Sequence, residues 1–159
     1  MTLRLSLETH PEPRRFYGLW TASGDRAVRR DIPRLSRRYH QISGLPAPAL
    51  PFLVLCRDYD RRTGAFSLFV GGETEREGLE PFDLPAGLYA RAEVRPLLGL
   101  FWGAAIGGAK REFYAKWLPA SGYRPRNLEF EYHTARSVGR FPSVDLCFAL
   151  ERPGDGAAP

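Results

Sequence analysis

Glu129 and Glu131 stand two residues apart in a run that reads Leu128-Glu129-Phe130-Glu131-Tyr132-His133. In a strand, successive side chains face opposite ways. This spacing therefore sends both carboxylates to one face and Leu128, Phe130 and Tyr132 to the other. On a wet face such a pair is ordinary. On the floor of an apolar groove it could hold an organic cation, because a low local dielectric strengthens a charge pair and each aromatic face adds ~0.5–2 kcal/mol of cation–π attraction. The same setting could raise a glutamate's pKa and let it act as general acid or base on a water, which makes a hydrolase the competing chemistry, with Glu129 or Glu131 as its catalytic residue. Trp20, Trp102 and Tyr89 are the aromatics expected beside such a carboxylate. Trp20 ends an extended segment in the first half, Trp102 precedes a helix, and Tyr89 lies on a strand between the halves.

Other chemistries find little footing. His10, His40 and His133 lie in separate segments without ligand spacing, so no metal is expected. Gly107-Gly108 falls inside a helical pattern rather than in a phosphate-cradling loop, and no nucleophile–base arrangement stands out, so no cofactor is expected either. Cys56 and Cys147 sit in apolar strand-like runs and read as buried free thiols of a reduced cytoplasm.

The elements that would position the glutamates follow from periodicity. Ile106, Ala109, Phe113 and Trp117 recur at helical spacing from Ala104 onward, and Pro119 with Ser121-Gly122 is expected to end that helix before the acidic strand. Trp117 is expected in the core. Earlier, Leu3, Leu5 and Leu7 alternate with polar residues, and Phe16 to Ala22 forms a second extended segment. Ser23 or Asp25 could then cap a helix with Val28, Ile32, Leu35, Tyr39 and Ile42 on its apolar face and Ser43-Gly44 at its end. Pro33 requires that helix either to begin at Asp31 or to kink. Phe52 to Tyr59 and Phe66 to Gly71 read as a hairpin around Asp60–Gly64.

The second half repeats the first. Leu7, Glu8, Pro13 and Tyr17 recur as Leu79, Glu80, Pro85 and Tyr89, each 72 residues later. Leu35, Tyr39 and Ser43-Gly44 recur as Phe113, Trp117 and Ser121-Gly122 at an offset of 78, so six extra residues precede the second helix. Each half reads strand, helix, strand, strand. The expected architecture is α+β: a duplicated unit with pseudo-two-fold symmetry, an antiparallel sheet with helices on one face, and a ligand groove between the halves. One domain covers 1–152, with repeats over about 1–75 and 76–152, and a loose tail covers 153–159.

Composition bounds the partners. The 159 residues carry 23 Lys+Arg against 18 Asp+Glu, a net charge of +5, and the 43% hydrophobic content argues against disorder. The excess is arginine, since lysine occurs only at Lys110 and Lys116. Arg26, Arg29, Arg30, Arg34, Arg37 and Arg38 crowd the first helix, as a solvated face or a docking surface for an acidic protein or nucleic acid. No aromatics interleave them and no helix-turn-helix accompanies them, so direct sequence-specific DNA binding is not expected. The chain lacks a signal-peptide core and an uncharged run of the ~20 residues that span a bilayer, so a cytoplasmic protein without a membrane partner is expected.

Taken in order, these residues resemble the GyrI-like small-molecule-binding domain, the effector-binding domain of AraC- and MerR-type bacterial transcription activators, in stand-alone form. The resemblance rests on Asp31-Ile32-Pro33, on Arg57-Asp58-Tyr59-Asp60 with Gly64, Phe66, Leu68, Val70 and Gly71, on Leu84 to Tyr89, on Trp117 to Tyr123, and on the strand with Glu129 and Glu131. It covers roughly Leu3 to Arg152. It implies an aromatic groove whose central glutamate receives lipophilic, often cationic, small molecules for sensing or sequestration. A gapless match favours Glu129 as that carboxylate, and Glu131 stays beside it. The apolar Gly103–Ala109 segment departs from the family pattern and alters one groove wall. One branch of the family implies hydrolysis of cyclopropane-bearing compounds, with which the residues are compatible. A gyrase-inhibiting relative implies DNA gyrase as a protein partner through the arginine helix.

Overall fold

The computed structural model describes residues 3–98 and 101–155. Eight strands form one antiparallel sheet: β1 (Leu5–His10), β2 (Arg14–Gly24), β3 (Phe52–Arg57), β4 (Ala65–Gly72), β5 (Glu80–Leu84), β6 (Gly87–Val94), β7 (Arg124–His133) and β8 (Val144–Glu151). Their order is β1-β6-β8-β7-β3-β4-β2-β5, and every pair is antiparallel. Exchanging β1–β4 with β5–β8 returns the same order read from the other edge. The tail expected over 153–159 lies mostly outside the described residues.

The sheet curls. Phe16 on β2 and Tyr132 on β7 are three strand spacings apart, roughly 14 Å in a flat sheet, yet their ring centroids lie 6.4 Å apart. The concave side closes on a core that includes Phe16, Leu53, Leu55, Phe69, Tyr89 and Phe130. Alternate residues of the same strands face outward, where two helices cover them.

Helix α1 (Val28–Ser43) sets Leu35 and Tyr39 on Leu19, Val54, Leu68 and Val70. Helix α2 (Trp102–Glu112) sets Ala109, and Phe113 just beyond its end, on Ala90, Ala92, Leu146 and Phe148. Helix α1 therefore covers β2, β3 and β4, helix α2 covers β6 and β8, and β7 runs between the two packed halves. Gly44 and Gly122 adopt φ of 63° and 75° where the two helical segments stop, the left-handed conformation that a side chain disfavours.

Several expectations about the helices are corrected. Neither Ser23 nor Asp25 caps α1; its N-cap is Ala27, without a side-chain bond. Ser23 instead donates to Asp31 Oδ2 at 2.9 Å, and Asp25 accepts from the Tyr59 hydroxyl at 2.8 Å. The helix begins at Val28, which overturns the start at Asp31, and Pro33 lies inside it. Tertiary packing of Leu35 and Tyr39 outweighs the hydrogen bond that proline removes. Pro119 does not stop the second helix. A π-helical turn, Phe113–Trp117, follows α2, and Pro119 then sits in the first turn of α3 (Leu118–Ser121), where its missing N–H is tolerated.

The acidic strand is longer than Leu128–His133, beginning at Arg124. Between Pro125 and Glu129 its register with β8 shifts, and Asn127 there has φ 54° and is held by Tyr59 through both its amide atoms. This bulge sets Glu129 opposite Phe148 and Glu131 opposite Leu146. No helix of the described residues is long and apolar enough to cross a membrane.

Candidate functional site

Strand parity places Glu129, Glu131 and His133 together on the outer face, where the two helices lie. Across the ladder to β3 they oppose Cys56, Val54 and Phe52. Both glutamates thus stand at the middle of the eight-stranded sheet, in the gap between the α1 and α2 cores. Their side chains are only 16% and 14% exposed.

Helix α2 leans over Glu129. Lys110 Nζ lies 2.7 Å from Glu129 Oε1, and the Tyr114 hydroxyl donates to Oε2 at 2.9 Å, so both oxygens are occupied. Lys110 and Tyr114 are four residues apart and therefore share one side of the helix. Burial disfavours the Lys110 charge, but Glu129, with Cys56 and Glu131 further off, outweighs it and holds the ammonium above its usual range. Burial and the Glu129 charge together push the Tyr114 hydroxyl well up, so it stays a neutral donor. The Cys56 thiol, beside this pair, is pushed up to about 12, chiefly by burial. Cys147 faces the concave core, and both cysteines are free.

Glu131 is differently placed. Among the described residues its side-chain partner is His133, whose Nε2 lies 3.3 Å from Oε2. Around that histidine gather rings from three other elements. Trp102 at the start of α2 is 6.4 Å from His133, Phe52 of β3 is 5.9 Å from it, and His40 of α1 is 5.5 Å from Phe52. The result is a carboxylate at the edge of an aromatic cluster built from both helices and both central strands.

Of the five residues expected at the site, Glu129, Glu131 and Trp102 come together. Trp20 and Tyr89 do not, because their parity turns them to the concave face. Trp20 packs on Phe69 and Phe82 at 4.9 and 5.2 Å, and the Arg57 guanidinium sits 4.1 Å over its ring. Tyr89 is fully buried, stacks on His10 at 4.4 Å and donates its hydroxyl to the Pro85 carbonyl at 2.6 Å. Trp117 is half-buried and packs beside Phe113 and Tyr123 against the α2 core rather than inside it.

Sequence reasoning missed Lys110, Tyr114, His133 and Phe52. A signal existed for the first: one of only two lysines in an arginine-rich chain borders the apolar stripe of its helix. Two surface cavities of about 450 and 410 Å³, the first lined by Arg15, Tyr17 and Glu77 and the second by Thr9, Arg126 and Arg152, do not touch the carboxylates. On α1, Arg30 and Arg34 both pair with the buried Asp31, while Arg29, Arg37 and Arg38 are exposed. No metal-ligating cluster exists among the described residues.

Comparison with known proteins supplies a family. The sequence model of the family described as Cass2, integron-associated effector binding protein, matches residues 15–149. No curated protein matches the chain by sequence. Among solved structures, an integron cassette protein from the mobile metagenome of Vibrio cholerae is similar, with a TM-score of 0.67 at 12% identity, over 94% of this chain and 98% of that one. The structure of SAV2435 bound to tetraphenylphosphonium gives a TM-score of 0.66 at 12% identity, over 95% and 94%. The C-terminal domain of EcmrR gives 0.62 at 14% identity, over 96% and 99%. At such identities these three share the fold.

Proposed function

We propose, from the premise that the chain belongs to the Cass2 family of integron-associated effector-binding proteins, that it captures a lipophilic aromatic cation in the groove between α1 and α2. The observation that carries this reading is Glu131: a largely buried carboxylate, partnered by a histidine, beside Trp102, Phe52 and His133. A desolvated organic cation gains there from both charge and ring faces. The bound tetraphenylphosphonium of SAV2435 supports the same ligand class.

At Glu129 capture is favoured over turnover, since Lys110 and Tyr114 engage both of its oxygens and neither is free to activate a water. Binding for sensing or sequestration in the cytoplasm is the role this suggests. The palindromic strand order, with a helix on each half and a glycine stop after each, supports a duplicated unit as the origin of the groove.

Equilibrium dialysis against tetraphenylphosphonium and the neutral triphenylphosphine oxide tests the reading. The cation should bind and the neutral compound should bind at least tenfold more weakly. Glu131→Gln should weaken the cation by roughly 2 kcal/mol, the scale of one ion pair at an intermediate dielectric, or about thirtyfold. Equal binding of both compounds, or none of the cation, overturns it.

A further inference from the structure

The proposed groove already contains a cation. Lys110 reaches from the α2 wall to the β7 floor and holds Glu129 Oε1 at 2.7 Å, with its own side chain 27% exposed. The anchoring of α2 does not depend on it, since Ala109, Phe113 and Trp117 fix that helix to the sheet. The residue type also matters. An ammonium is a compact point charge that takes one oxygen and leaves the other to Tyr114, whereas a guanidinium would span both. In a chain that otherwise draws its positive charge from arginine, this position is one of two lysines.

We propose that Lys110 is a tethered occupant that sets the charge class of the ligand: by neutralising Glu129 it leaves Glu131, which no ammonium or guanidinium holds among the described residues, as the carboxylate for the ligand, which fits the groove to monovalent lipophilic cations and against divalent ones. Two carboxylates against one ammonium leave a single negative charge. A second positive centre on a ligand would meet the Lys110 ammonium where it needs a carboxylate, and at groove distances that repulsion is large enough to exclude it. Removing Lys110 would bare Glu129 two residues along the strand from Glu131 on the same face, which makes the floor a site for a dication. This inference rests on the capture reading above.

The test titrates wild type, Lys110→Met and the double variant Lys110→Met/Glu129→Gln with tetraphenylphosphonium and with a decane-linked bis-quinolinium dication. Wild type should prefer the monocation. Lys110→Met should raise dication affinity relative to monocation affinity by about tenfold or more, and Glu129→Gln in that background should abolish the gain. Thermal melting checks that each variant folds; Lys110→Gln replaces Lys110→Met if the latter does not. If wild type binds tetraphenylphosphonium but removing Lys110 leaves the preference ratio within about twofold, the role of Lys110 is overturned and capture stands. If neither protein binds either probe, capture falls and this inference with it.

Discussion

The proposed groove requires α2 to stay docked, and Phe113 is the side chain on which docking most depends. It is fully buried at the junction of α2 and the π-helical turn, stacked on Phe148 of β8 with centroids 3.7 Å apart and planes 6° from parallel. Trp117 stacks on it at 5.4 Å, and Tyr114 meets its edge at 4.9 Å. Phe113→Ala should therefore cost about 3–5 kcal/mol, combining lost transfer energy with a cavity that Trp117 and Phe148, both held elsewhere, cannot collapse to fill. In a chain of this length each kcal/mol lowers Tm by about 2–4 °C, so a loss of 4 kcal/mol lowers it by about 8–16 °C.

Urea unfolding followed by tryptophan fluorescence is the assay. Trp102 and Trp117 both belong to the α2 segment and report on its detachment. Phe113→Leu, which keeps most of the volume, should lose clearly less than Phe113→Ala. Tetraphenylphosphonium binding should weaken in Phe113→Ala, because Lys110, Tyr114 and Trp102 ride on the same helix. A loss under about 1 kcal/mol in Phe113→Ala would refute the reasoning, since it would mean that the helix is held elsewhere.

Three further outcomes are expected. Trp102→Ala should weaken tetraphenylphosphonium binding by about 2- to 30-fold in calorimetry, the span of one cation–π contact, with little change in stability. The Ser23 hydroxyl, then Arg30 and Arg34, hold the Asp31 carboxyl below its usual range, so its contribution is present above the unfolded pKa near 4 and lost as pH falls through the lower folded value. Asp31→Asn should accordingly destabilise the protein in urea melts at pH 7, and the difference from wild type should shrink towards zero in strong acid. With both thiols pushed up to about 12 by burial, neither Cys56 nor Cys147 should react with a disulfide reagent at pH 8 in the native protein, and both should react once it is unfolded in guanidinium.

Periodicity carried most of the fold because it reports directly on which side of an element is dry. The alternation through Leu128–His133 and the stripe Ile106, Ala109, Phe113 and Trp117 each placed their residues on the correct face. Helix starts were harder, since the tertiary hold of Leu35 and Tyr39 decides where α1 can begin and lets it run through Pro33. Of the residues expected together, Glu129, Glu131 and Trp102 lie on one face, whereas Trp20 and Tyr89 turn to the other. Trp20 and Tyr89 are strand residues whose face depends on register, and the curl that brings Phe16 within reach of Tyr132 has no local signature. Lys110 escaped because its role is defined by a strand nearly twenty residues away, across a bulge that no pattern announces.

The ladder between the two central strands explains how an almost symmetric fold builds an asymmetric floor. Phe52, Val54 and Cys56 on β3 lie opposite His133, Glu131 and Glu129 on β7. The first half supplies an apolar row and the second an acidic one, a single strand spacing apart. If the proposed capture holds, a ligand with a charged centre and an aromatic body has one favoured orientation, charge towards the β7 row and body towards the apolar side. Lys110 already holds Glu129, so the proposal directs that charge to Glu131, the end where Trp102, His133 and Phe52 converge. On this proposal the orientation of the cation follows from strand register, and its valence from one side chain on the helix above.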